Sequence, residues 1–207
     1  MIKSNIFLKI YFLIKLFIFF FIITENSYSD NLKVKENMIV MGSHDAIVKI
    51  KIFSSLTCPH CANFHTKVVP QIKKEYVESG KVQLIFIDFP LDQAAFNASK
   101  LLHCLGQEKQ MIFLDTIYEK QEEWTNGPNL EDINNNLKKI VENLGINQIQ
   151  FNKCLIDEDI SDKILNGRID ANMKYSIKST PTIIINEKKL EGTADFKNIK
   201  KKIEKLI

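Results

Sequence analysis

The chain has 207 residues, of which 45% are hydrophobic and 26% are charged, a balance typical of a globular domain and not of a disordered or fibrous chain. Its 28 Lys and Arg residues against 25 Asp and Glu leave a net charge of only +3. Such a balance excludes the strongly basic field that nucleic-acid binding or attachment to an anionic membrane surface requires.

The N-terminal segment, residues 1–29, is predicted to be an export signal peptide. Lysines precede the apolar run 16–23, and Ser27 and Ser29 place small residues at cleavage-site positions. An uncleaved inner-membrane anchor is the alternative, because run 6–23 is almost long enough to span a bilayer, but two lysines interrupt it. Cleavage is favoured. The remaining chain fits one domain, and its four cysteines suit an oxidising compartment.

Two strands are predicted next, at 38–41 and 46–53, around a turn at 42–45 that contains His44. The second strand alternates apolar and basic residues, as a half-buried strand does. The motif that carries the chemistry follows this strand immediately.

That motif is Cys58-Pro59-His60-Cys61. A Cys-x-x-Cys pair that opens a helix places its first sulfur among unpaired backbone N–H groups, which favour a thiolate, so Cys58 is the expected nucleophile. Cys61, one turn further, lies within reach of a short disulfide and is the expected resolving cysteine. Pro59 suits the first helical position, where no N–H is needed.

His60 is predicted to set the direction of electron flow. An imidazolium between the cysteines stabilises a thiolate in the reduced form only, which makes the disulfide a stronger oxidant. The reduction potentials of a mild reductant and a strong oxidant that use this chemistry differ by about 150 mV, roughly 7 kcal/mol for two electrons. Half of a zinc site and an ordinary structural disulfide are weaker alternatives, because zinc needs a second ligand pair and a Cys-x-x-Cys bridge is strained.

The middle of the chain predicts one more strand and then helices. A helix after Cys61, bent at Pro70 and ended by Gly80, leads to an apolar strand at 82–89. Between 92 and 177 only helical segments are predicted, forming a helical insertion. They span 92–105, 107–122, 130–144, 147–155 and 157–175.

The C-terminal part returns to the sheet. Ser179-Thr180-Pro181-Thr182 leads into an apolar strand at 182–186, a second strand at 189–191 is expected to pair with it, and 195–206 closes the chain as an amphipathic helix.

These residues together resemble the DsbA-like thiol-disulfide oxidoreductases over essentially all of the chain after the signal segment. Residues Cys58 to Cys61 match the Cys-Pro-His-Cys motif of this family, and Thr180 with Pro181 matches its cis-proline loop. The resemblance implies an α/β fold in which a thioredoxin-like central sheet, formed by 30–91 and 178–207, carries an all-helical subdomain at 92–177. It also implies a substrate-binding role for Thr180 and Pro181, with no cofactor and no metal.

The resemblance further implies a structural disulfide between Cys104 and Cys154, as in one branch of the family. The bridge would close a loop of about 50 residues, for which the chain-entropy model gives roughly 4 kcal/mol. Two free buried thiols are the alternative.

One family feature is missing. Many relatives place a buried acid six residues before the nucleophile, where Ile52 stands here.

His65 is expected to face solvent, His103 to neighbour the structural bridge, and Trp124 to lie in the core.

The predicted function is that of a periplasmic enzyme, monomeric and not binding nucleic acid, that donates its Cys58–Cys61 disulfide to reduced, newly exported polypeptides through a Cys58 mixed disulfide. A membrane quinone-linked thiol oxidase would reoxidise it. A disulfide isomerase or reductase is the alternative, since dedicated isomerases share the residue type of Thr180. A chaperone or copper-binding module is a third hypothesis.

Overall fold

The structure, a computed structural model, describes residues 38–207. The predicted signal segment at 1–29 therefore lies outside the described residues. Across 38–207, no helix combines the length and apolar character that crossing a membrane requires.

Five strands form one mixed sheet in the described part of the chain. They are β1 (Met38–Met41), β2 (Val48–Ser54), β3 (Val82–Asp88), β4 (Thr182–Ile185) and β5 (Lys188–Lys189). The order across the sheet is β1-β3-β2-β4-β5, with β2 and β3 parallel and the other neighbours antiparallel. The first two strands of the chain are thus separated by β3, which pairs with both of them.

Alternation along β2 divides the sheet into two faces. Val48, Ile50 and Ile52 are at most 1% exposed and belong to the larger core. Phe53 points to the opposite face and packs in a smaller cluster with Ile184. The larger core also contains Cys61, and Cys58 packs against it.

Eight helices are formed by residues 38–207. The first, α1, is a continuous helical stretch over 59–77, α-helical at Pro59–Asn63 and Val69–Ile72 and π-helical at Phe64–Val68 and Lys73–Val77. Between β3 and β4 lie α2 (Gln93–Cys104), α3 (Gln107–Glu119), α4 (Gln121–Trp124), α5 (Leu130–Glu142), α6 (Gln148–Ile156) and α7 (Glu158–Tyr175), and α8 (Phe196–Ile203) follows the sheet. The helical pattern predicted for 107–122 is interrupted at Lys120, which separates α3 from α4.

Side-chain caps set most of the helix starts. In five helices the residue before the first turn accepts a hydrogen bond from a backbone N–H three residues later, and a cap of this kind stabilises a helix by about 1 kcal/mol. The capping residues are Asp92, Asn129, Asn147, Asp157 and Asp195.

The β4–β5 hairpin is tighter than the sequence pattern predicted. Asn186 and Glu187 have φ values of 42° and 66°, and two left-handed residues close a two-residue hairpin turn. Strand β5 therefore begins at Lys188, one residue before the predicted start at 189.

Candidate active site

Cys58 lies in the connection between β2 and α1, directly before the first residue of the helix. It caps the helix in an extended conformation, with φ −79° and ψ 118°, and Pro59 occupies the first helical turn. The Cys58 carbonyl accepts hydrogen bonds from the backbone N–H groups of Cys61 and Ala62, at 3.0 and 3.1 Å. Cys58 is half-buried, whereas Cys61 is 1% exposed, so Cys58 is the more accessible of the two cysteines.

The loop before β4 faces the same sulfur. The Thr180–Pro181 peptide bond is cis, and β4 pairs with β2 so that Thr182 lies opposite Phe53. This pairing brings the loop to the start of α1, and the Cys58 thiol donates a hydrogen bond to the Thr180 carbonyl oxygen at an S···O distance of 3.4 Å.

The two sulfurs occupy different electrostatic environments. Burial raises the pKa of the Cys61 thiol to about 12, the Thr180 side chain acts in the opposite direction, and the negative charge of Cys58 raises it further. The Thr180 hydroxyl is itself buried and forms no hydrogen bond of good geometry. Cys61 therefore stays protonated in the reduced protein at neutral pH.

His60 is exposed, between the two cysteines. Because the side chain is exposed, any influence of His60 on Cys58 acts through its charge and not through packing.

Two side chains from the segment between β3 and β4 form hydrogen bonds with the loop 55–58, which connects β2 to α1. The buried amide of Gln121 donates to the Leu56 carbonyl at 2.7 Å and to the Cys58 carbonyl at 3.1 Å. On the other side, Thr57 donates to Asp92, the cap of α2, at 2.6 Å. Neither contact can be predicted from the local sequence, because the residues that each contact joins are more than 30 positions apart.

Replacing Gln121 with Leu is expected to destabilise the protein by about 1–3 kcal/mol, because the buried Leu56 carbonyl loses its donor. Gln71→Leu is the matched control, since the Gln71 amide also donates to a carbonyl, that of Lys67, but at an exposed site. Urea unfolding of the two variants measures the difference. Equal losses in both would contradict a special role for Gln121.

Cys104 and Cys154 form a disulfide bond with an S–S distance of 2.07 Å across 50 positions of sequence. Cys104 ends α2 and Cys154 lies in the last turn of α6. The bridge therefore joins two helices of the segment between β3 and β4.

The expectation that His65 faces solvent is wrong. His65 is 6% exposed, its Nε2 lies 2.6 Å from Asp115 Oδ1, and its ring contacts Phe86 and Tyr118. It follows Cys61 by one helical turn and so shares the buried face of α1, which α3 covers.

The remaining histidines and the tryptophan lie where the sequence predicted. His44 is in a turn, Trp124 is 1% exposed, and His103 directly precedes the disulfide-bonded Cys104. Within 38–207, no three His, Cys, Asp or Glu side chains cluster as a metal site would require.

A dithiol that opens a helix, faces a cis-proline loop and rests on a mixed five-stranded sheet defines a class: the thiol-disulfide oxidoreductases of thioredoxin fold. Residues 34–205 match the family model described as Thioredoxin. The chain belongs to this family and, within it, to the DsbA-like proteins, which confirms the predicted resemblance and the α/β thioredoxin-like fold class.

Three relatives illustrate the match. Alpha-DsbA1 of Wolbachia pipientis has a crystal structure that is 34% identical, with a TM-score of 0.75, covering 82% of this chain and 90% of that one. A Bacillus cereus protein named as a probable disulfide bond formation protein D is 32% identical over 80% of this chain and 76% of its own length. A Rickettsia bellii relative named as a protein-disulfide oxidoreductase is 26% identical over 74% of this chain, and the chain spans only 59% of that protein's length.

Proposed function

We propose that this protein is an exported thiol oxidase that donates the Cys58–Cys61 disulfide to other polypeptides. The observation that carries the proposal is the asymmetry of the two sulfurs: Cys58 is accessible at a helix start, and Cys61 is buried with a pKa of about 12. Only one sulfur is open to attack, so a mixed disulfide forms at Cys58.

The reaction proceeds by two exchanges. A substrate thiolate attacks Cys58 Sγ, the bond to Cys61 breaks, and Cys61 leaves as a thiolate that takes up a proton. A second substrate thiolate then attacks the substrate sulfur of the mixed disulfide and releases Cys58. An extended substrate segment pairs with the backbone of Thr180 and Pro181 while its sulfur reaches Cys58.

Export of the protein would fix its substrates, its compartment and its electron acceptor. Reduced, newly exported polypeptides are the substrates, the periplasm is the compartment, and a membrane quinone-linked thiol oxidase accepts the two electrons from the reduced enzyme. The lysine-flanked apolar run within 1–29 supports export. The enzyme works as a monomer, since one chain contains both cysteines and the cis-proline loop.

Disulfide isomerase or reductase activity is the second candidate. The observation that favours it is Thr180 before the cis-proline, because dedicated isomerases share this residue type. A redox titration separates the two directions, because a reductant has a much lower potential than an oxidant.

A redox titration of the Cys58–Cys61 pair against glutathione tests the proposal. We expect a potential near about −120 mV, as in strong oxidants, whereas a value near about −270 mV would overturn the oxidase direction in favour of a reductant. His60→Gln should lower the potential by tens of millivolts, because it removes the imidazole whose protonated form stabilises a thiolate at Cys58. His44→Gln is the control, since His44 is exposed in a turn before β2.

A further inference from the structure

Gln121 is a buried amide that contacts the nucleophile from a distant part of the chain. The residue is 6% exposed, and its Nε2 donates hydrogen bonds to the carbonyl oxygens of Leu56 and Cys58, at 2.7 and 3.1 Å. A side-chain amide nitrogen carries two hydrogens, so each acceptor takes one of them. The exchange mechanism gives this side chain no part, although one of its acceptors belongs to the nucleophile.

The bond to Leu56 has a structural reason, whereas the bond to Cys58 does not. The Leu56 carbonyl is buried, and a buried carbonyl without a donor costs free energy. The Cys58 carbonyl already accepts the backbone N–H groups of Cys61 and Ala62, at 3.0 and 3.1 Å, and a carbonyl oxygen has two lone pairs. The amide of Gln121 is therefore a third donor at an oxygen that is satisfied without it. Its presence there calls for a role other than stability.

This third donor binds the residue whose sulfur changes charge during the reaction. The carbonyl oxygen of Cys58 and that of Thr180, which lies 3.4 Å from Cys58 Sγ, both carry partial negative charge. Negative charge close to a sulfur disfavours its thiolate, and nearby hydrogen-bond donors favour it. The amide of Gln121 offsets the charge on the Cys58 oxygen and brings the positive end of its own dipole to this position.

The effect of the amide depends on the redox state of the enzyme. A negative charge forms on the Cys58 sulfur only in the reduced protein, because the sulfurs of a disulfide are neutral. An interaction that favours this charge stabilises the reduced protein relative to the oxidised protein, and it makes the disulfide a stronger oxidant. The Gln121 amide thus acts in the same direction as a protonated imidazole at His60.

The position of Gln121 is fixed by the break between α3 and α4. Gln121 is the first residue of α4, and Lys120 directly before it has φ −103° and ψ 21°, outside the α-helical region. Trp124, the last residue of α4, is 1% exposed and donates its indole N–H to the Ile117 carbonyl of α3 at 2.8 Å. This bond crosses the break, so a buried anchor holds the short helix and keeps Gln121 within reach of loop 55–58.

We propose that Gln121 is a positioning residue of the thiol exchange, which holds the Cys58 backbone and stabilises the negative charge that forms on its sulfur. The inference rests on the proposed function and adds a source of its oxidising strength. Two substrate thiols supply the electrons and join as a disulfide, the Cys58–Cys61 bond breaks, Cys58 keeps one electron pair as a thiolate, and Cys61 takes one substrate proton while the other goes to solvent. Gln121 forms no covalent bond and transfers no proton.

The test compares wild type with Gln121→Leu and Asn97→Leu. Each protein is equilibrated with mixtures of reduced and oxidised glutathione, quenched with acid and labelled at free thiols, which gives the equilibrium constant for oxidation of glutathione by the protein. Asn97→Leu is the matched control, because Asn97 is also an amide that is 6% exposed in the segment between β3 and β4. Its Nδ2 donates to Asn134 at 2.9 Å and not to loop 55–58.

We expect the equilibrium constant to fall by about fivefold or more in Gln121→Leu and to stay within about twofold of wild type in Asn97→Leu. Leucine cannot donate, so the partial negative charge of the Cys58 carbonyl then opposes the thiolate more strongly. A fivefold change corresponds to about 20 mV, since a tenfold change is about 30 mV for two electrons.

Urea unfolding of the oxidised and the reduced proteins gives a second readout that does not depend on glutathione. A purely structural contact contributes equally to both redox forms. We expect Gln121→Leu to lower the unfolding free energy of the reduced protein more than that of the oxidised protein, because the folded and unfolded forms of both redox states close a thermodynamic cycle. Asn97→Leu should lower both by the same amount.

Two results overturn the inference: an equilibrium constant of Gln121→Leu within about twofold of wild type, or an equal shift in Asn97→Leu. If Gln121→Leu does not fold, Gln121→Met, which keeps the length of the side chain and removes its donor, decides by the same criteria. A wild-type potential near about −270 mV would overturn the oxidase direction alone, since the ratio between variant and wild type still measures the effect of Gln121. Wild type that does not exchange with glutathione at all overturns both proposals.

Discussion

Replacing Cys58 with Ser is expected to reduce disulfide transfer to the uncatalysed rate. Cys58 is the half-buried sulfur, and Cys61 is 1% exposed, so no other group within the active-site motif can form the mixed disulfide. Oxidation of a reduced model protein, followed by recovery of its activity, measures the loss.

Cys61→Ser is the matched variant, because it removes the other sulfur of the same pair. This protein keeps the nucleophile but has no resolving thiol. When it is incubated with a disulfide-containing substrate, the Cys58 thiolate attacks the substrate disulfide, one substrate sulfur leaves as a thiolate, and the mixed disulfide at Cys58 should accumulate and be visible by non-reducing electrophoresis. Measurable turnover by Cys58→Ser would contradict the assignment of the nucleophile.

The same variant separates the enzyme from the hypotheses of a chaperone or a copper-binding module. A holdase binds through apolar surface and would keep suppressing aggregation without Cys58. Metal analysis of the purified protein tests copper directly, since soft thiolates select Cu(I). Retained anti-aggregation activity together with unchanged disulfide transfer would leave the oxidase proposal without support.

Removing the second disulfide is expected to cost about 4 kcal/mol of unfolding free energy. The double variant Cys104→Ser/Cys154→Ser opens a loop of 50 positions, and the chain-entropy model attributes about that amount to a loop of this length. The loss is large beside the 5–15 kcal/mol that typically stabilise a domain. Urea unfolding, with Cys58 and Cys61 reduced in both proteins, measures it.

The control for this double variant is wild type unfolded with and without a reductant strong enough to open the bridge. Reduction should lower the urea midpoint of wild type toward that of the variant and leave the variant unchanged. A difference below about 1 kcal/mol between the oxidised proteins would show that the bridge contributes little to stability.

The nature of the redox site was predictable because its chemistry is local. Two cysteines three positions apart at a helix start share one helical turn, and Pro59 fits the first position for a reason internal to that helix. The strands β2, β3 and β4 were also recognisable, since a strand buried in a sheet must be apolar whatever it pairs with.

The partners of these elements were not predictable, because they come from distant parts of the chain. The periodicity of α1 shows which residues share a face but not that α3 covers the face of His65. The Gln121 contact joins positions 65 apart, and an amide within a helical pattern gives no sign of it. Residue types alone could not reveal it.

The sequence by itself determined the class of chemistry that this motif can support, since Cys58, Pro59, His60 and Cys61 share one helical turn. Only the tertiary structure decided which distant residues surround this motif. Strand order placed the cis-proline loop beside Cys58, and the packing of α3 covered the face of α1 that carries His65. The reason is physical: reactivity at a helix start depends on neighbours along the chain, whereas burial and side-chain contacts depend on neighbours in space.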